Sequence, residues 1–422
     1  MKVPQALADA IVDPKTYADT ARLEAVFAQL RREAPLAQAC VAGYDPFWVV
    51  TRHADVQWVE RRADDFLNAT GSVMLIDREM VAANMAATGT PNTSRSLVEV
   101  DGKEHKELRS VGFASFAPRQ VNNREDEVRK IARGFVEELL KKAPSCDFVK
   151  EVAYVYPLRV VMTFLGIPPE DEPFMLQMSH QLHGAADADT NRSGEELSGA
   201  EAWEGVLAAI GELDVYYKKV TEKFRVAPAD CVNSLIANAK IDGKHLTEEQ
   251  LFGYYLITAT AGHDTTAHTI ATAMWVLAER PDLLAKLQAD PSAIPGFVDE
   301  TIRWATPVKH FMRTAAADVE LHGQTIRKGD WVMLAYHSAN RDELVFDAPE
   351  EFKIDRRRDQ HVAFGFGSHV CLGQHLAKLE MRILWEELLP RIAELRLTDA
   401  PKILESNFVC GPKSVPVSFV VA

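Results

Sequence analysis

The stretch Phe364-Gly365-Phe366-Gly367-Ser368-His369-Val370-Cys371-Leu372-Gly373 sets the strongest constraint on how this chain can fold. Three glycines within nine residues release the backbone from β-carbon sterics, so the segment can turn tightly against something flat. From Gln374 to Leu389 the apolar residues Leu376, Leu379, Ile383 and Leu384 recur at a spacing that predicts an amphipathic helix. Cys371 therefore stands where a loop feeds a helix N-terminus, and there unpaired N–H groups and the helix dipole favour negative charge on sulfur. A stabilised thiolate at the end of a glycine-rich loop is what an axial iron ligand requires.

Other readings of Cys371 stand beside that one. A lone cysteine in a reduced protein is usually a small buried hydrophobe. Cys371 with His369 also suggests a nucleophile and its base, but that pair leaves Phe364 and the glycines without a role and supplies no oxyanion hole. Zinc would want a second cysteine close by, and none is there.

The formal net charge of −14 argues against nucleic acid or an anionic membrane surface as the main partner. Cys40, Cys146, Cys231, Cys371 and Cys410 are scattered and odd in number, which gives no disulfide framework and fits a reducing cytoplasm. No apolar run reaches about 18 residues, so the expectation is a cytoplasmic protein with no membrane anchor. With no linker, repeat or low-complexity tract, residues 1–422 are expected to form a single, mainly helical domain.

Along the chain, Phe47-Trp48-Val49-Val50-Thr51 suits a strand. Residues 70–98 lack a clean period and read as a long irregular loop, and the polar stretch 184–200 reads as a mobile one. His105 and Arg109, four apart, share a helix face and can grip one anionic group. Thr247 and Gln250 form a capping box, with Leu246 and Leu251 placed as a hydrophobic staple. The helix they begin is predicted to run unbroken from Glu248 to Arg280, roughly 50 Å, stopping at Pro281. Its middle, Ala261-Gly262-His263-Asp264-Thr265-Thr266, contradicts local propensity: glycine and paired threonines are poor helix formers, and a buried aspartate is costly unless paired. Such a failure inside a strong helix marks either a packing kink or a functional site. Glu300 and Arg303 are spaced as an ordinary helix ion pair, and so are Glu222 and Arg225.

The Phe364–Gly373 stretch matches the haem-binding signature of the haem-thiolate monooxygenases, and Ala-Gly-x-Asp-Thr-Thr resembles the oxygen-binding groove motif of the same cytochrome P-450 family. The resemblance covers almost the whole chain and is to the soluble bacterial type. Tyr44-Asp45-Pro46, Trp48, Arg52-His53-Ala54-Asp55-Val56 and Tyr156-Pro157-Leu158 resemble the bacterial terpineol hydroxylase branch. It implies a cytochrome P-450 fold, mainly α with small β-sheets, with haem b between the central helix and the cysteine loop. Cys371 would be the iron ligand, with Phe364, Gly365, Gly373 and Ala261 against the cofactor. His105, Arg109, Arg313 and His369 would hold its propionates, although Gly102 and Lys103 replace the family's two prolines ahead of His105, which leaves the start of that helix open.

The same resemblance makes Asp264 a proton relay and Thr265 the hydroxyl that orients bound oxygen. It gives Glu300, Arg303 and Arg356 a structural role and makes residues 70–98 a lid over the substrate. Ile257, Ala261, Val308, Phe311 and Phe408 would line an apolar pocket for a small terpenoid or aromatic hydrocarbon. The expected reaction is hydroxylation with molecular oxygen, by a monomer. Electrons would come from a separate ferredoxin and its reductase, docked near Arg109, Arg357, Arg358 and Lys378. A peroxide-driven peroxygenase and a haem-based sensor are the competing readings.

Overall fold

A computed structural model describes residues 1–422, and its main core is a cluster of 65 buried residues drawn largely from helices. The helix Asp264–Glu279 runs through that core, packed against Val155–Leu165, Ile294–Ala305 and the cysteine-loop helix Gln374–Leu388. The latter is anchored by Trp385, which stacks on Phe148 at 6.3 Å and meets Phe297 edge-on at 5.7 Å. No helix is long and apolar enough to cross a membrane.

Beside the helices lies a five-stranded sheet. Leu36–Ala39 pairs antiparallel with Phe47–Val50, which pairs parallel with Trp331–Ala335. Trp331–Ala335 pairs antiparallel with His310–Ala315, and Phe66–Leu67 closes the edge. Phe311 stands opposite Leu334 and Arg313 opposite Val332. Strand alternation therefore sends Phe311 and Arg313 to one face, while Met312 enters the N-terminal core cluster on the other.

The central helix departs from expectation. It is two helices, Glu248–Thr260 and Asp264–Glu279, separated by a turn at Ala261-Gly262-His263. The capping box at Thr247 and Gln250 forms as expected, and Leu246 and Leu251 are both buried. Two causes break the ladder. Thr265 Oγ1 donates to Ala261 O at 2.7 Å, one of several threonine hydroxyls that bond back four residues and bend the helix. The His263 ring, fully buried, is also drawn aside by Tyr154 O at 2.6 Å and Ser179 Oγ at 2.8 Å.

Residues 70–98 are not wholly irregular. They contain the helix Arg78–Thr88, capped by Asp77 and ended by left-handed Gly89. Asn84 is its sole buried side chain, which explains the missing apolar period; its Oδ1 accepts from Trp203 Nε1 at 3.1 Å. The 184–200 stretch is tied down rather than free: Lys413 Nζ donates to both oxygens of buried Asp187 at 2.7 Å and reaches Asp189 at the same distance. A further difference concerns Asp101, which does not cap the helix Gly102–Phe113. Its carboxylate accepts from the Asn68 and Ala69 N–H groups instead, and Gly102 takes φ +58°, which proline cannot adopt.

Candidate functional site

The cysteine loop is built by its glycines. Gly365 and Gly367 lie at φ +70° and +71°, and a Cβ on Gly367 would come 2.5 Å from Glu60 O. The loop therefore lies hard against the end of the helix His53–Glu60. Cys371 N–H donates back to Phe364 O at 2.8 Å, closing the turn. The N–H groups of Gly373 and Gln374 at the start of the following helix favour the charged form of its sulfur. Burial pushes the free thiol above its ordinary range, outweighing these two donors and Arg109. A thiolate here needs a bound cation to hold it.

Donors gather beside this loop. Arg109 Nη2 donates to Val370 O at 2.6 Å. The rings of His105 and His369 stack at 3.9 Å, and His105 Nε2 is buried without a partner. Burial, with Arg313, His105 and Arg109 adding to it, pushes His369 down to about 2. Arg313 meets Glu60 at 3.3 Å, and Asn68 Nδ2 lies 3.3 Å from His369 Nδ1. Four basic side chains gathered beside the loop, of which Arg313 alone meets the buried Glu60 carboxylate and His105 keeps an orphaned ring nitrogen, fit a cofactor that brings two carboxylates of its own.

At the helix break, Ala261 is exposed between two buried helices, while Asp264 beside it is 3% exposed. Asp264 Oδ2 accepts from Ser179 Oγ at 2.7 Å and His183 Nδ1 at 2.5 Å, and Oδ1 lies 3.1 Å from His263 Nδ1. Nothing in the sequence connects Ser179 and His183 to Asp264 some 80 positions away, so these partners were not foreseen. Glu60 and Asn68 were missed for the same reason.

Of the expected pocket residues, Phe311 and Phe408 meet edge-on at 5.4 Å. Val308 bridges to Val409, and Lys309 N–H donates to Phe408 O at 2.8 Å, so the C-terminal segment is stitched to this strand. Ile257 is half-buried against the main core. Glu300, Arg303 and Arg356 come together: Arg303 holds Glu300 through two 2.7 Å bonds, and Arg356 Nε adds a third at 3.1 Å. The proposed basic face is smaller than expected. Lys378 is neutralised by Asp299 at 2.7 Å and by Asp359, and Arg109 is half-buried, which leaves Arg357 and Arg358 exposed.

This fold and site define a haem-thiolate protein, and the chain belongs to the Cytochrome P450 family, whose sequence model matches residues 72–419. As a member it is a haem-thiolate monooxygenase with haem b as its cofactor. The chain is 42% identical to Cytochrome P450-terp of a Pseudomonas species, covering 100% of this chain and 99% of that one. It is 33% identical to a Steroid C26-monooxygenase of Mycolicibacterium smegmatis over 76% of this chain and 79% of that one. Among solved structures, CYP108D1 from Novosphingobium aromaticivorans superposes over the full length of both chains with a TM-score of 0.92 at 40% identity. Mycobacterium marinum CYP268A2 in complex with pseudoionone gives 0.87 at 33% identity, over 97% of each chain.

Proposed function

We propose that the enzyme hydroxylates a small hydrophobic molecule, a terpenoid or an aromatic hydrocarbon, in the cytoplasm and as a monomer. The observation that carries this is the Phe311–Phe408 contact, an aromatic wall with Val308 beside it in the chain. Such a wall selects by shape and apolar area. The pseudoionone held by CYP268A2, a terpenoid ketone, and the name of P450-terp support the same substrate class.

Cys371 would hold the haem iron, and His105, Arg109, Arg313 and His369 would hold the propionates. Phe364, Gly365, Gly373 and Ala261 would lie against the macrocycle. Haem supplies the activation of oxygen when bound. The chain's own part is to position and to deliver protons: Asp264 brings a proton inward, and the Thr265 hydroxyl orients the group that receives it. A peroxygenase would have no use for the Asp264–Thr265 pair. Electrons would arrive from a ferredoxin at the face carrying Arg357 and Arg358.

The test adds monoterpenes and alkylbenzenes to the haem-loaded protein and follows the substrate-induced spin-state shift. Turnover is then measured with a ferredoxin and its reductase. A shift and an alcohol product are expected from at least one class. Binding confined to large charged molecules would refute the substrate reading. Full turnover on peroxide alone, with none through a ferredoxin, would refute the electron route.

A further inference from the structure

We propose that His183 is the outer positioning residue and proton inlet for Asp264, and that His263 is a standing imidazolium that pins the Asp264 carboxylate until a proton arrives. This rests on the reading of Asp264 as the inward proton source.

A count of protons in the cluster assigns the charge. Tyr154 O can only accept, so His263 Nε2, 2.6 Å away, carries a hydrogen. Ser179 Oγ has one hydrogen and two neighbours, Asp264 Oδ2 at 2.7 Å and His263 Nδ1 at 2.8 Å. An ionised Asp264 only accepts, so the serine hydrogen goes to it. His263 Nδ1 must then donate to Ser179 Oγ and to Asp264 Oδ1, and the ring holds both protons. The other assignment, a neutral His263 accepting from Ser179, turns a serine lone pair towards a carboxylate oxygen at 2.7 Å. Burial alone would lower His263 and raise Asp264, yet their mutual attraction shifts each the opposite way.

Exposure assigns the direction of flow. The His183 side chain is 16% exposed, against 4% for Asp264 and 0% for His263. His183 closes the helix Glu172–His183, where the dipole favours a cation, and its Nδ1 faces Asp264 Oδ2 at 2.5 Å. A proton taken from solvent at Nε2 lets the Nδ1 proton pass to Oδ2, and the ring returns to neutral as the other tautomer. One proton enters and one leaves, and no electron moves. Once protonated, Asp264 loses its ion pair with His263 and is free to turn towards the Thr265 side of the helix break.

The charge assignment is tested by nitrogen NMR of histidine-labelled holoenzyme in the diamagnetic ferrous carbon monoxide state. His263 is expected to carry hydrogen on both nitrogens at neutral pH; a single protonated nitrogen would overturn it. The inlet is tested with His183→Gln and His183→Gly. Both should keep the substrate-induced spectral shift, lose at least about tenfold in product formation and show a larger solvent isotope effect. Added imidazole should restore His183→Gly and leave Asp264→Asn unrestored. Wild-type rates and isotope effects in both His183 variants, with Asp264→Asn slowed, would overturn the inlet alone. Unimpaired turnover in Asp264→Asn would instead overturn the reading of Asp264.

Discussion

The Arg303 guanidinium meets the Glu300 carboxylate side-on, Nε to Oε2 and Nη2 to Oε1, with each side chain 2% exposed. Arg303 Nη1 also donates to Asn340 O and Pro349 O, and the Lys353 N–H donates to Glu300 Oε1. The pair thus ties one helix to the irregular segment that leads into the cysteine loop. Arg303→Ala leaves the buried Glu300 carboxylate with only Arg356 and the Lys353 N–H, which should cost about 3 kcal/mol. Arg225→Ala removes an exposed arginine of identical spacing, whose Nε donates only to Ala237 O, and should cost about 1 kcal/mol. Urea denaturation of both variants separates them, and equal midpoints would refute the distinction.

Thr265 spends its hydroxyl hydrogen on Ala261 O, which leaves its oxygen lone pairs at the helix break. Thr265→Ala should keep consuming electrons while hydrogen peroxide replaces the hydroxylated product. The peroxide-to-product ratio measures this, and fully coupled turnover would refute the role given to Thr265.

Lys413 clasps Asp187 and Asp189, and Asp187 also accepts from the Glu405 N–H. Lys413→Met should leave the buried Asp187 without its counter-charge and release the 184–200 stretch. Amide hydrogen exchange should quicken across those residues and little elsewhere. Unchanged exchange there would mean that the backbone bonds of the loop suffice.

Two buried histidines predict acid sensitivity. Burial pushes His268 and His310 each down to about 4, and His310 Nε2 accepts from the Leu75 N–H, a contact that protonation would turn repulsive. Both imidazoles titrate near 6.5 in the unfolded chain, so between pH 6.5 and 4 these two sites bind more protons there than in the folded protein. Folding stability should therefore be greatest above that window and fall as pH is lowered through it. Denaturant midpoints across this range check the slope, which His310→Asn should make shallower.

What could be read from residues alone was whatever is encoded locally. The glycines at 365 and 367 and the capping box at Thr247 each act within a few positions, and their effects follow from elementary sterics and hydrogen bonding. The helix Arg78–Thr88 escaped notice because it buries one polar side chain and so carries no apolar period. The oddity at Ala261–Thr266 was visible, but a break could not be told from a bend, because the ring that draws the backbone aside is held by Tyr154 and Ser179 on other helices.

The sequence by itself determined the cysteine at a glycine-rich loop and the aspartate and threonine in a weak stretch of helix, since propensity and spacing are properties of neighbours in the chain. Only the tertiary structure decided which charges meet. It neutralised Lys378, made Glu300–Arg303 a buried pair and left Arg225 at the surface. It also surrounded Asp264 with Ser179, His183 and His263. Charge pairing depends on distance and burial through space, and neither is written in the order of residues.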